Sequence, residues 1–161
     1  MKTRCSLLLT LFVSVVACGG SPTAPQPQPQ PAPSLAFSIT PNPVPYAGIL
    51  TGCAGNPGLS KTWLYTLRIS NTGNAAFVVS SFSSRVTSPL LPTPLDTPFD
   101  ATTFGQAFGA TTIQAQGAVS GSLCVFGPFD SATLVWTFVG ASGGGTFSTP
   151  TITFQPSGVP N

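Results

Sequence analysis

The chain has 161 residues, of which only 5% are charged, and a formal net charge of +2 at pH 7. A usual globular chain carries about 25% charged residues, so solubility here must come from Ser, Thr, Gly, Asn and Gln. Histidine and glutamate are absent, which removes imidazole as base or ligand and every paired-glutamate mechanism, and no basic face exists to collect nucleic-acid phosphates.

Lys2 and Arg4 precede an uncharged, mostly apolar run from Cys5 to Val16, and Ala17 is small. This order of basic, apolar and small residues predicts a signal peptide over residues 1–17. The run holds twelve residues, against the roughly 20 a membrane-spanning helix needs, and Gly19, Gly20 and Pro22 stop its extension.

Val15, Val16, Ala17 and Cys18 resemble the bacterial lipobox: an aliphatic residue, a tolerant position, a small residue and cysteine. That resemblance implies a lipoprotein in which the Cys18 sulfur is acylated, signal peptidase II cuts before it, and the new amino terminus is acylated with a palmitate-type chain. Two or three acyl chains hold a protein on a bilayer where one does not. The alternative is cleavage at Ala17 by the general signal peptidase, which leaves Cys18 a free thiol. Gly19 is not the Asp that favours inner-membrane retention, so an outer-membrane location is expected if the source is a diderm bacterium. Loss of residues 1–17 leaves Lys61, Arg68 and Arg85 against Asp96, Asp100 and Asp130, a formally neutral chain.

Residues 18–34 form a lipidated terminus and a Pro/Gln-rich linker, with proline at 22, 25, 27, 29, 31 and 33. Proline fixes φ and removes donors, so the stretch favours polyproline II and reaches roughly 50 Å at about 3.1 Å per residue. A spacer is the expected role, with a proline-rich ligand as the alternative.

From Leu35 to Pro156 the composition suits one β domain, followed by a tail over 157–161. Leu35, Phe37 and Ile39 alternate with small polar residues and predict a strand closed by Pro41, Pro43 and Pro45. Trp63, Tyr65, Leu67 and Ile69 alternate with Leu64, Thr66, Arg68 and Ser70 in the clearest strand. Asn71 to Asn74 then predicts a turn, because Asn and Gly tolerate positive φ, with Phe77 to Phe82 returning as the partner strand of a hairpin. Prolines at 89, 92, 94 and 98 make residues 84–99 a loop or an edge crossing. Val119, Leu123 and Val125 mark another strand. Leu134, Trp136 and Phe138 alternate with Val135, Thr137 and Val139, and Ala141 to Gly145 turns into Thr146 to Phe154 as a final hairpin. No helical periodicity is evident, and about seven short strands predict a sandwich.

The stretch WLYTLRISNTGNAAFVV resembles the strand, Asn-Thr-Gly turn and strand of bacterial Ig-like surface domains, including the cell-adhesion-related domain found in bacteria. The blocks GAVSGSLCVFG and ATLVWTFVG are similar to the late strands of such domains. The resemblance implies an all-β, Ig-like antiparallel β-sandwich. The antibody pattern is not carried over, because Cys53 lies among glycines and position 122 is Ser where that pattern has Tyr.

Of the four cysteines, Cys5 leaves with the signal and Cys18 takes lipid, so Cys53 and Cys124 are expected to form a disulfide in an oxidising compartment. Such a bridge, closing a long loop, would contribute at most about 4 kcal/mol by loop entropy. The alternative is two unpaired thiols. Gly140, Ala141, Ser142, Gly143 and Gly144 match G-x-S-x-G but lie in a glycine loop between strands, without a histidine partner. Asp96, Asp100 and Asp130 could supply oxygens to Ca²⁺ or carboxylates to a glycosidase, yet no Ca²⁺-loop spacing or raised acid supports either. Trp63, Tyr65 and Trp136 fall in phase with the core, leaving Tyr46 in a proline loop as the one exposed ring for stacking on sugar.

The expectation is therefore a non-enzymatic, cofactor-free, lipid-anchored cell-envelope protein whose partners are the membrane and an envelope protein or glycan, not nucleic acid. A structural subunit joined through a sheet edge is the alternative. An Asp-based hydrolase is the more remote one.

Overall fold

The computed structural model describes residues 30–48 and 61–156. The predicted signal peptide, Cys18, Cys53 and the 157–161 tail lie outside the described residues.

Ten strands and one α-helix follow in the order β1 (Leu35–Thr40), β2 (Tyr46–Gly48), β3 (Lys61–Asn71), β4 (Phe77–Thr87), β5 (Leu95–Asp100), α1 (Ala101–Phe108), β6 (Thr112–Ile113), β7 (Ala118–Gly127), β8 (Ala132–Gly140), β9 (Thr146–Ser148) and β10 (Ile152–Phe154). In the first sheet β3 is central, with β7 along one side and β1 then β2 along the other. In the second, β8 and β4 are central; β9 and β10 flank β8, while β5 and β6 flank β4. All these pairings are antiparallel, and the order is that of an Ig-like sandwich. Four strands have only two or three residues, which accounts for the excess over the expected seven or so.

Alternation along the long strands decides which face is inside. Trp63, Tyr65, Leu67 and Ile69 of β3 are at most 3% exposed, while Leu64 on the opposite face is 44% exposed. Leu134, Trp136 and Phe138 point inward from β8. The two inner faces meet in an aromatic core. Trp63 stacks on Phe129 and Phe154 at 5.2 and 5.6 Å, and Phe82 stacks on Phe138 at 5.9 Å and Phe99 at 4.8 Å.

Three sequence expectations are corrected. β3 and β4 are not a hairpin; they lie in different sheets, and residues 72–76 arch between them. Asn71, 1% exposed, makes this an arch. Its Oδ1 accepts from Ser34 N–H at 3.1 Å and Gly73 N–H at 3.0 Å, and its Nδ2 donates to Ala75 O at 2.7 Å and Ile113 O at 3.2 Å. One amide thereby satisfies backbone groups that a hairpin would pair along its ladder.

Helical periodicity is present over α1, where none was expected. Asp100 caps the helix by accepting from Thr103 N–H, and Gly109 ends it in the left-handed conformation. Phe104 and Phe108, one turn apart, bury against the core with their rings 4.5 Å apart. The proline-rich stretch is in part an edge strand. β4 runs on to Thr87, and β5 pairs with it with Pro98 opposite Ser83, a position an edge strand tolerates.

The sandwich closes differently along its two sides. On one, Val44 N–H donates to Thr153 O at 2.8 Å and Gln155 N–H to Val44 O at 2.9 Å, tying the β1–β2 link to β10. On the other, α1 packs against β4, β5 and β7. Gly121 permits that approach, because a Cβ there would lie 2.6 Å from Ala107 O.

Candidate functional site

The first sheet runs lengthwise between two unlike ends. At one end the N-terminal segment enters beside the β3–β4 arch: Ala32 N–H donates to Asn74 Oδ1 at 3.0 Å and Thr72 N–H to Ser34 O at 2.7 Å. Gln116 Nε2 reaches Thr72 O and Gly73 O at 2.8 and 2.9 Å. Gly73 is needed here for close approach and not for positive φ, since a Cβ would stand 2.4 Å from Ala32 O. β3 and β4 each run 11 residues, which at about 3.3 Å per residue puts the opposite end roughly 36 Å away.

That far end carries the β4–β5 loop with Leu90, 61% exposed, and the first residue of β5, Leu95, 54% exposed, the two most exposed large apolar residues among those described. Beside it is an open cleft of about 490 Å³ lined by Thr87, Pro89, Ala132, Thr133, Thr153 and Phe154. Ser88 holds the loop down: its hydroxyl donates to Ser131 O at 2.8 Å.

The outer face of the second sheet is a hydroxyl grid. Pairing sets Thr87, Thr133 and Thr153 in one row and Ser83, Thr137 and Ser148 in another. Between the rows Arg85 forms a bidentate pair with Asp96 at 2.7 and 2.8 Å. The guanidinium holds the Asp96 carboxyl below its ordinary range, and the carboxylate raises Arg85 in turn. Both groups are exposed, so the pair adds little to stability.

Each of the three carboxylates is engaged. Asp100 caps α1, and its hydrogen bonds from Thr103 N–H and Oγ1–H lower its pKa. Asp130 pairs with Lys61. The shifts at Asp96 and Asp100 run opposite to what a general acid needs. Among the described residues no group of three or more metal-ligating side chains comes together. Ser142 of the G-x-S-x-G match lies in a 3₁₀ turn between β8 and β9, at φ 51°.

Trp63 and Trp136 lie in the core, each with its indole N–H satisfied: Trp63 Nε1 donates to Gln155 O at 3.0 Å and Trp136 Nε1 to Tyr65 Oη at 2.7 Å. Tyr46 is not the free ring the sequence suggested; it is half-buried, tilted against Trp63 at 5.8 Å. Cys124 sits on the outer face of β7 opposite Leu64, half-buried and disulfide-bonded. Cys53, the partner expected from the sequence, and Cys18 lie outside the described residues.

Sequence reasoning missed the side of the first sheet opposite β1, where β7 is the last strand among the described residues. Its ten residues hold no charge and no proline, a signal readable in the sequence once β7 is known to be an edge.

No protein-family model matches the chain, and no curated protein matches it. Among solved structures it is similar to the structural-genomics target SoR45, at 15% identity and a TM-score of 0.56, over 80% of this chain and 91% of that one. It is also similar to a Bordetella pertussis protein described as ApaA, at 17% identity and a TM-score of 0.53, over 81% of this chain and all of that one. At such identities the likeness is one of fold.

Proposed function

We propose that the chain is a lipid-anchored cell-envelope protein whose non-catalytic β-sandwich binds a partner in adhesion. The observation that carries this reading is the polarity of the domain. The segment that follows the lipobox-like residues is hydrogen-bonded to one end, through Ala32 and Ser34. The exposed Leu90 and Leu95 stand at the other end. A tether of roughly 50 Å in polyproline II would hold that far end well clear of a bilayer. Engagement of Asp96, Asp100 and Asp130 in ion pairs and a helix cap favours binding over an Asp-based hydrolase. Among the described residues no helix is long and apolar enough to cross a membrane, so membrane attachment in this reading rests on Cys18.

The test is membrane fractionation of the wild-type chain and Cys18→Ala. The wild type should sediment with membranes through a high-salt wash and the variant should be released. A variant that stays bound would contradict the anchor. Turnover of any member of a broad glycoside and ester panel, lost on Asp96→Asn or Asp100→Asn, would contradict the non-catalytic reading.

A further inference from the structure

The N-terminal limb, residues 32–48, is bonded to the domain along its length and to both sheets. At the arch, Ala32 N–H donates to Asn74 Oδ1 at 3.0 Å, Ser34 N–H to Asn71 Oδ1 at 3.1 Å and Thr72 N–H to Ser34 O at 2.7 Å. β1 then pairs with β3, from Leu35 opposite Asn71 to Thr40 opposite Thr66. Beyond it Val44 reaches β10 in the second sheet: its N–H donates to Thr153 O at 2.8 Å and its C=O accepts from Gln155 N–H at 2.9 Å. β2 returns to the first sheet, with Tyr46 opposite Trp63 and Gly48 opposite Thr62.

These attachments lie in line. β1 starts at the arch and runs toward the far end, so the chain before it leaves past the arch along the strand axis. Thr72 N–H bonds Ser34 O, and bonded and non-bonded pairs alternate along an antiparallel ladder, so Ala36, Ser38 and Thr40 are the β1 residues that bond to β3. Such bonds lie perpendicular to the strands. A pull along the strands therefore strains all of them together, whereas a pull across the sheet opens them one at a time from the arch.

Register is locked as well as bonded. Leu35, Phe37 and Ile39 share one phase and pack on the core, with Phe37 stacked on Phe138 at 5.7 Å. By itself β1 could slide two residues along β3 and keep its apolar face inward. Val44 prevents the slide. Its side chain is fully buried, Pro45 restricts it to extended backbone, and it carries the one N–H of residues 43–45, because Pro43 and Pro45 have none. A slide of β1 must break the Val44 bonds to the second sheet and draw a buried side chain from the core at the same moment.

We propose that this limb is a mechanical clamp, which carries tension between the N-terminal tether and the far end into both sheets and keeps the domain folded under a pull along the strands. With load entering at Leu90, the covalent stretch under tension runs from the tether through β1, β2, β3 and β4. α1 follows Leu90 in the chain and closes the opposite side through Gly121 and the Phe104–Phe108 stack, outside that stretch. That such a pull arises rests on the reading of an anchored domain holding a partner at its far end. The strength of the clamp does not.

Single-molecule force spectroscopy of the full chain tests the clamp, in non-reducing buffer so that the disulfide at Cys124 stays closed. Bio-orthogonal handles at Gly20 and Leu90 pull along the strands. Handles at Gly20 and Ala115, an exposed position beside the arch, pull across them. At one loading rate the first rupture should need about twice the force or more in the Leu90 geometry, because bonds strained together must fail together. Val44→Pro and Ser38→Pro each remove an N–H from the clamp, and either should lower the Leu90 force to about half while leaving the Ala115 force little changed. Phe108→Ala, in α1, weakens the domain at equilibrium but should leave the Leu90 force near that of the wild type. Circular dichroism and urea unfolding report whether each variant folds and how much stability it loses. Should both proline variants fail to fold, the two geometries of the wild type decide. Equal forces in the two geometries, or a fall with Phe108→Ala as large as with Val44→Pro, overturn the clamp. The readout needs neither an acyl chain nor a partner. An unacylated Cys18 overturns the anchored reading and leaves the clamp in place; a weak Leu90 geometry in a chain that fractionates with membranes does the reverse.

Discussion

Trp136 Nε1–H donates to Tyr65 Oη at 2.7 Å across the interior, joining β8 of one sheet to β3 of the other. Both polar atoms are buried in a largely apolar core, and each satisfies the other there. Tyr65→Phe should therefore cost about 1–3 kcal/mol by leaving the indole N–H unpaired. Trp136→Ala should cost about 3–5 kcal/mol by truncating a buried aromatic. A double-mutant cycle in urea should give a combined loss smaller than the sum; strict additivity would deny the coupling.

Burial pushes the Tyr65 phenol well above its ordinary 10.0, more than its hydrogen bond with Trp136 lowers it. The native state thus keeps a proton that the unfolded chain begins to lose near pH 10. Stability linked to this group is full below that pH and falls as pH rises above it, because the unfolded state binds fewer protons. Melting temperatures across pH 8 to 11.5 should show this decline, with a shallower slope in Tyr65→Phe.

Asn71 binds four backbone groups at the β3–β4 arch. Asn71→Leu keeps much of the volume but strands those groups, so a loss of about 2–4 kcal/mol is expected from several unmade buried hydrogen bonds. Urea unfolding measures it, and a loss below that of an ordinary surface substitution would show that the amide is dispensable.

Asp100→Ala removes the cap of α1. Amide hydrogen exchange over residues 101–108 should accelerate, while exchange in β3 and β8 changes little. Since the cap holds the Asp100 carboxyl below its ordinary 3.8, its contribution is present above that pH and is lost as pH falls through the native value. The wild-type helix should therefore approach the exchange rate of the variant in acid.

Cys124 is disulfide-bonded, and Cys53 is the partner expected from the sequence. Denaturing, non-reducing thiol titration of the exported chain should find neither residue reactive, and Cys53→Ser should expose one thiol at Cys124. Two reactive thiols in the wild type would contradict the pairing.

Strand phase was legible in the sequence because it is local: Trp63, Tyr65, Leu67 and Ile69 share a parity that would otherwise bury Arg68. Sheet membership was not, because Asn-Thr-Gly-Asn serves a hairpin or an arch equally well. The choice is made by Asn71 reaching Ser34 and Ile113, 37 and 42 residues away. α1 was overlooked because two turns give little periodicity, although Asp100 with Thr103, Phe104 with Phe108, and Gly109 marked its cap, face and end. The β7 edge depends on which strands lie beside it, and no property of residues 118–127 alone specifies that.

The anchor at Cys18 is the claim on which the orientation of the domain depends, and mass spectrometry of the N-terminal peptide from membrane-purified protein tests it most directly. The peptide should begin at Cys18 and carry a mass increment corresponding to a thioether-linked diacylglyceryl group together with an amide-linked acyl chain. An unmodified peptide beginning at Cys18, or one that still contains Met1, would contradict the account.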